Sequence, residues 1–192
     1  MAIEHRERRG IDVTLARLVW SESDGIPGLI VDRYGDHISV QTLTLAMDLR
    51  KEIIRDALVS LISPKSIVLR NDSPYRKAEG MEPGIEMLYG ENPGAFQVTA
   101  NDLIFEIDLF DGQKTGLYLD QLQSHLEVAK LAKGKRVLDC FTNQGGFALA
   151  CAKAGATKVT AVDVSATACE AARKNAELNG VEIEVLEHNV FD

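Results

Sequence analysis

The chain has 192 residues, of which 45% are hydrophobic and 26% charged, and a formal net charge of −8. This is room for one large or two small domains of ordinary globular composition, and it excludes a disordered or fibrous chain. No apolar run approaches the roughly 18–20 residues of a membrane span, and the charged start, Met1–Arg9, lacks the apolar core of a secretory signal.

Residues 3–9 predict a short helix. Leu15–Trp20, Leu29–Tyr34 and 37–45 predict strands, punctuated by the turn pairs Asp24-Gly25 and Gly35-Asp36. Ile53, Ile54, Ala57, Leu58 and Leu61 recur at helical spacing, so 49–62 predicts a helix that stops before Pro64. Residues 66–70 predict a strand. The stretch 71–94 contains Pro74, Pro83 and Pro93 and predicts loop. Residues 96–99 and 103–109 predict a hairpin turning at Ala100-Asn101-Asp102. These pieces make a mixed α+β domain over 1–110.

Phe110–Tyr118, with Asp111-Gly112 and Gly116, is the expected boundary, and 111–192 the second domain. Residues 120–131 predict a helix with Leu122, Leu126 and Ala129 on one face, stopped by Gly134. The pattern then becomes strand–helix–strand–helix–strand: 136–141, 146–154, 158–163, 165–179 and 182–189. Ser165 is suited to cap the second of these helices, and Asn179-Gly180 to end it. The expected class is α/β, an α+β domain followed by the first half of a Rossmann-like domain.

Charge is unevenly spread. From Asp163 to Asp192 seven acids face two bases, whereas Lys65–Glu79 holds Lys65, Arg70, Arg76 and Lys77 against two acids. The acidic balance argues against a nucleic-acid clamp over the whole chain. Any contact with RNA phosphates is therefore expected from Arg70, Arg76 and Lys77, with a merely solvated face as the plainer alternative.

The chemistry-bearing segment is Arg136–Gly146, an apolar run ending in an acid and a glycine-containing loop, followed by Val159–Asp163, a second apolar run ending in an acid. In such domains ligands sit beyond the carboxyl ends of parallel strands. The loop Thr142-Asn143-Gln144-Gly145-Gly146 lacks the G-x-G-x-x-G spacing of a dinucleotide site and the Gly-Lys-Ser/Thr of a phosphate loop. Two glycines and two strand-end acids, Asp139 and Asp163, suit S-adenosylmethionine, which carries no pyrophosphate. Gly145 and Gly146 are expected to let the backbone approach its methionyl part, and Asp163 to accept hydrogen bonds from its ribose. A plain turn and a helix cap are the competing structural roles. Cys140, Cys151 and Cys169 show no CxxC spacing, no clustered histidines and no base nearby in sequence, so reduced, unactivated core thiols of a cytoplasmic protein and no metal site are expected.

Three blocks, Asp24–Asp36 (DGIPGLIVDRYGD), Lys114–Gln121 (KTGLYLDQ) and Val137–Phe147 (VLDCFTNQGGF), together resemble the class I rRNA methyltransferases of the bacterial large-subunit cytosine-5 type. The resemblance runs from about residue 10 to the end. It implies S-adenosylmethionine as cofactor, rRNA as partner, no membrane, a homodimeric full-length parent, and methylation of C5 of a 23S rRNA cytosine through a cysteine nucleophile. In that family a PUA domain precedes this region, and an Asp-Pro-Pro motif and the nucleophile's motif follow it. The chain is thus expected to be a fragment, inactive alone, with no catalytic residue to carry over. The cofactor positions carried over are Asp139, Phe141, Thr142, Asn143, Gln144, Gly145, Gly146, Asp163 and Val164; Asn189, Val190 and Asp192 near adenine; and Lys114, Tyr118, Asp120 and Gln121. Leu122 stands where the family usually has Arg, which weakens a role for a basic group there. A guanine-N7 rRNA methyltransferase and a non-catalytic RNA- or cofactor-binding module are the alternatives. Supply of only the first three strands also predicts strand order 3-2-1, with 136–141 at an open apolar edge.

Overall fold

A computed structural model describes residues 1–110 and 116–191. Two compact units emerge, Met1–Phe96 with Ile107–Leu119, and Gln97–Glu106 with Asp120–Asp192. The division therefore differs from a single cut at 110/111, because the tip of the hairpin belongs to the second unit.

The first unit is built on a five-stranded sheet of order β1-β2-β3-β4-β5, with β1 Leu15–Trp20, β2 Leu29–Tyr34, β3 His37–Thr42, β4 Ser66–Asn71 and β5 Gly84–Tyr89. Only β3 and β4 run parallel, and their crossover carries the helices α2 (Leu45–Asp48) and α3 (Lys51–Ile62). The third strand ends at Thr42 because Thr44 accepts the Met47 N–H and opens α2. Leu18, Val31, Ile38, Val40, Ile67 and Leu69 form the core, and Leu58 closes it from α3. The buried stripe of α3 is narrower than its spacing suggested, for Ile53 and Leu61 are exposed. A short N-terminal helix, α1 (Ala2–Arg8), packs Ala2 and Ile3 on the same core. Within the supposed loop 71–94 the chain makes a 3-10 turn over Pro74–Glu79 and the edge strand β5.

Both central arginines expected to meet RNA are internal. Arg70 is 2% exposed. It donates to the Leu109 carbonyl at 2.7 Å and to Asp72 at 2.8 Å, tying Leu109 to the sheet. Arg76 is also buried, donating to Asp48 at 2.9 Å and to the Thr42 carbonyl. A buried guanidinium is retained only when it is paired in this way, so neither is available for phosphate. Lys77 alone of the three is exposed.

The second unit holds the parallel sheet β10-β9-β8, with β8 Arg136–Cys140, β9 Lys158–Asp163 and β10 Glu184–Glu187. This is the order expected, with β8 at an edge. Helices α4 (Leu122–Ala129), α5 (Gly146–Lys153) and α6 (Ala166–Asn179) complete it. Ala148, Cys151, Val159 and Ala161 form its core, packed by Val137 and Val185. In-register partners share a face, so Leu138, beside Thr160, points to the opposite side of the sheet and is 64% exposed. On α4 the buried residue is His125, while Leu126 is exposed, against the apolar face the sequence suggested. The strands β6 (Ala95–Ala100) and β7 (Leu103–Asp108) pair as the expected hairpin. Asn179 on α6 accepts from the Ile104 N–H at 2.8 Å and donates to its carbonyl at 2.7 Å. One turn earlier Asn175 accepts from the Glu106 N–H at 2.9 Å. Two asparagines at i, i+4 thereby satisfy the outer edge of β7.

Candidate functional site

The carboxyl ends of β8, β9 and β10 gather the predicted residues. From Phe141 to Gly145 the backbone alternates into the left-handed region, at Phe141 (φ 62°), Asn143 (φ 49°) and Gly145 (φ 88°). Phe141 is bulky for that region, a local strain of the sort found at ligand-binding turns. What holds the loop is a set of side-chain acceptors. Asp139, buried at the end of β8, accepts the Thr142 hydroxyl at 2.6 Å and the Ala148 N–H of α5 at 3.1 Å. Asp163, half-buried at the end of β9, accepts the Asn143 N–H at 2.9 Å through one oxygen and the Ser165 N–H at 3.0 Å through the other. The Asn143 side chain accepts the Gln144 N–H at 2.8 Å, and the Gln144 carbonyl accepts from buried Asn175 at 3.0 Å. Ser165 caps α6 through the Ala168 N–H at 3.3 Å, so helix capping does not exhaust Asp163.

Burial pushes the Asp139 carboxyl above its ordinary range; its two donors oppose this, and the nearby Asp163 adds to it. The loop is thus flanked by two carboxylates. Such a field favours a ligand with a cationic sulfonium and ammonium and disfavours a pyrophosphate. Beside them lies apolar surface. Phe141 and Phe191 have ring centroids 5.7 Å apart, and both, with Val164, are largely exposed. These are rings on which a purine could stack.

The two glycines also have neighbours within the protein. A Cβ on Gly146 would meet the His125 ring, 2.6 Å from Nε2, and a Cβ on Gly145 would meet Ala172 and Leu149 at 3.3 and 3.4 Å. The missing side chain of Gly146 makes room for His125, while Gly145 is favoured chiefly by its left-handed backbone, φ 88°. His125 fills that space at 4% exposure, edge-on to Phe147 with centroids 4.4 Å apart. Burial pushes its pKa down, which favours a neutral imidazole. Sequence inspection missed His125, although its place three residues into an apolar-periodic helix before a Gly-Gly loop offered a hint.

Asp139, Thr142, Asn143, Gln144, Gly145, Gly146 and Asp163 converge. Val164 directly follows β9 and Asn189 stands two residues beyond β10, with Val190 half-buried after it. Asp120 and Gln121 form the exposed 3-10 turn that enters α4, while Tyr118 belongs to the first unit. Lys114 and Asp192 lie outside the described residues. Burial raises the thiol pKa of Cys151 and of Cys169, the reverse of activation; Cys140 is half-buried in β8. Among the described residues no three metal-ligating side chains cluster, and no helix is long and apolar enough to cross a membrane.

Residues 65–192 match the model of the S-adenosylmethionine-dependent methyltransferase family. Over 189 residues the chain is 40% identical to a ribosomal RNA large subunit methyltransferase I of Aeromonas salmonicida, covering 96% of this chain and 47% of the relative. The chain spans about half the length of the curated relatives it matches. Among solved structures, an S-adenosylmethionine-dependent methyltransferase of Streptococcus mutans is 25% identical with a TM-score of 0.82, covering 98% of this chain and 50% of the other. A methyltransferase solved in complex with SAH gives the same figures.

Proposed function

The chain belongs to the S-adenosylmethionine-dependent methyltransferase family, and we propose that it forms the cofactor-holding part of a cytoplasmic enzyme that methylates large-subunit rRNA. The observation that carries this reading is the strand-end loop drawn between Asp139 and Asp163, in particular the 2.9 Å bond from the Asn143 N–H to Asp163. S-adenosylmethionine, when bound, supplies a methyl group on a sulfonium. The residues proposed to hold it are the Asp139–Gly146 loop, Asp163, Val164, Asn189 and Val190, with Tyr118, Asp120, Gln121, Lys114 and Asp192 as further candidates. Asp163 keeps lone pairs on both oxygens beyond its two backbone bonds, enough to accept the two ribose hydroxyls. Asp139 keeps the loop closed, and Phe141 and Phe191 shield the adenine from water.

The finer reading is methyl transfer to C5 of a cytosine in 23S rRNA. Support comes from the rRNA activity named for the relatives and from the order of the three sequence blocks. That chemistry requires a thiolate to add at C6 and a base to take the C5 proton. With Cys151 and Cys169 buried and their pKa raised, the nucleophile is proposed to belong to a longer parent. The half-length match and the open apolar face of β8 support this assignment. The test is to incubate the chain with methyl-labelled S-adenosylmethionine and unmodified large-subunit rRNA. Retention of label on the protein with none in the RNA is expected. Label in the RNA would place a nucleophile among Cys140, Cys151 and Cys169, and no retention would remove the cofactor.

A further inference from the structure

With Arg70 and Arg76 internal, the first unit offers RNA a different surface. Trp20, the sole tryptophan of the chain, ends the edge strand β1 and is 45% exposed. Large aromatic rings are normally drawn into cores, and this one is instead held in place at the surface. In a regular strand, residues 17 and 20 would face opposite sides. Here the register slips between Arg17 and Val19, so Leu18 is a bulge residue and Arg17 and Trp20 come to the same side. The Arg17 guanidinium then lies 4.4 Å from the Trp20 ring centroid. Arg17 is itself fixed by paired bonds of 2.7 and 2.8 Å to the fully buried Asp32. The backbone N–H of Trp20 donates to Asp24 at 2.6 Å, and Asp24 is clamped by Arg6 of α1 at 2.7 and 2.9 Å. Arg6 also donates to the Arg17 carbonyl.

The geometry points to Trp20 with Arg17 as a stacking platform for an unpaired base of single-stranded RNA, an assignment that rests on the rRNA substrate proposed above. The two carboxylates that touch the platform, Asp24 and Asp32, are paired with Arg6 and Arg17, which leaves Glu22 of the adjoining turn as the exposed acid beside it. Arg8 and Arg9 follow Arg6 along the chain. Arg8 is held only by the exposed Glu4 at 3.3 Å, and Arg9 has no side-chain partner among the described residues. An ion pair that exposed is weak enough to yield to a phosphate. Aromatic faces flanked by arginines are how unpaired bases are bound without sequence preference.

Because Trp20 supplies all tryptophan emission, stacking can be read directly. The full chain is titrated with a mixed-sequence RNA decamer, single-stranded or as a blunt duplex, following emission and the anisotropy of an end label. Quenching by the single strand only is expected. Binding should weaken about tenfold in Trp20→Ala and less in Trp20→Phe, in line with the worth of one stacked base. S-adenosylmethionine affinity should be unchanged in both variants. Equal quenching by duplex, or equal affinity of wild type and Trp20→Ala without quenching, overturns the platform while leaving the rRNA reading intact. Failure of the wild-type chain to bind either RNA overturns both.

Discussion

At the scale of single residues, the pair Gly146 and His125 makes a sharp test of why the loop carries two glycines. Alanine at 146 drives its Cβ into the imidazole, so Gly146→Ala should cost about 1–3 kcal/mol, the usual range for overpacking. Truncating His125 in the same chain should restore much of that loss, which denaturant unfolding of the two single variants and the double variant will measure as a coupling energy. Additive effects would mean that the glycine serves the ligand instead. Asp139 gives a pH dependence of defined sign. Its carboxyl is raised by burial, so the folded protein holds that proton more tightly than the unfolded chain. The group therefore lowers stability as pH rises through the raised value, and the cost vanishes below the ordinary carboxylate range. Asp139→Asn should accordingly melt higher than wild type at neutral pH, with the gap closing as pH falls toward 4. A gap that widens on acidification would contradict the burial argument.

Among the elements, the strands with unbroken apolar patterns and the cap at Ser165 were legible because their signals are local. Strand β5 was not. Gly84–Tyr89 alternates only weakly and lies between Pro83 and Pro93, and its strand state comes from pairing with β4. The interior of Arg70 and Arg76 was equally hidden, since a run of bases looks solvated until the acceptors Leu109, Asp48 and Thr42 are known. The same holds for Asn175 and Asn179, polar residues at helical spacing whose partners lie some seventy residues earlier in the chain. Replacing Asn175 by Leu would leave the Glu106 N–H and the Gln144 carbonyl without this partner. The expected cost is about 2–4 kcal/mol, from two desolvated groups at about 1–3 kcal/mol each, partly relieved by water. Hydrogen exchange at the Glu106 amide should accelerate with it. Unaltered exchange there would show that the asparagine is incidental to β7.

For the molecule as a whole, the order of the parallel sheet and the gathering of the loop at its strand ends were readable from apolar runs and their terminal acids, whereas the packing of Gly146 against His125 was not. The sheet leaves β8 at an edge with Leu138 exposed, and an apolar edge strand is a template for association. Sedimentation of the chain should show concentration-dependent association that Leu138→Lys reduces; identical profiles would show that the edge is guarded in some other way. The central claim is that the Asp139–Gly146 loop and Asp163 bind S-adenosylmethionine, and calorimetry of the wild-type chain beside Asp163→Ala tests it most directly. The wild type should bind, and the variant should bind about 1.5–3 kcal/mol more weakly, the scale of hydrogen bonds to a charged group, or about 10- to 150-fold in Kd. Equal affinities would remove Asp163 from the site, and no heat from the wild type would contradict the assignment of the loop itself.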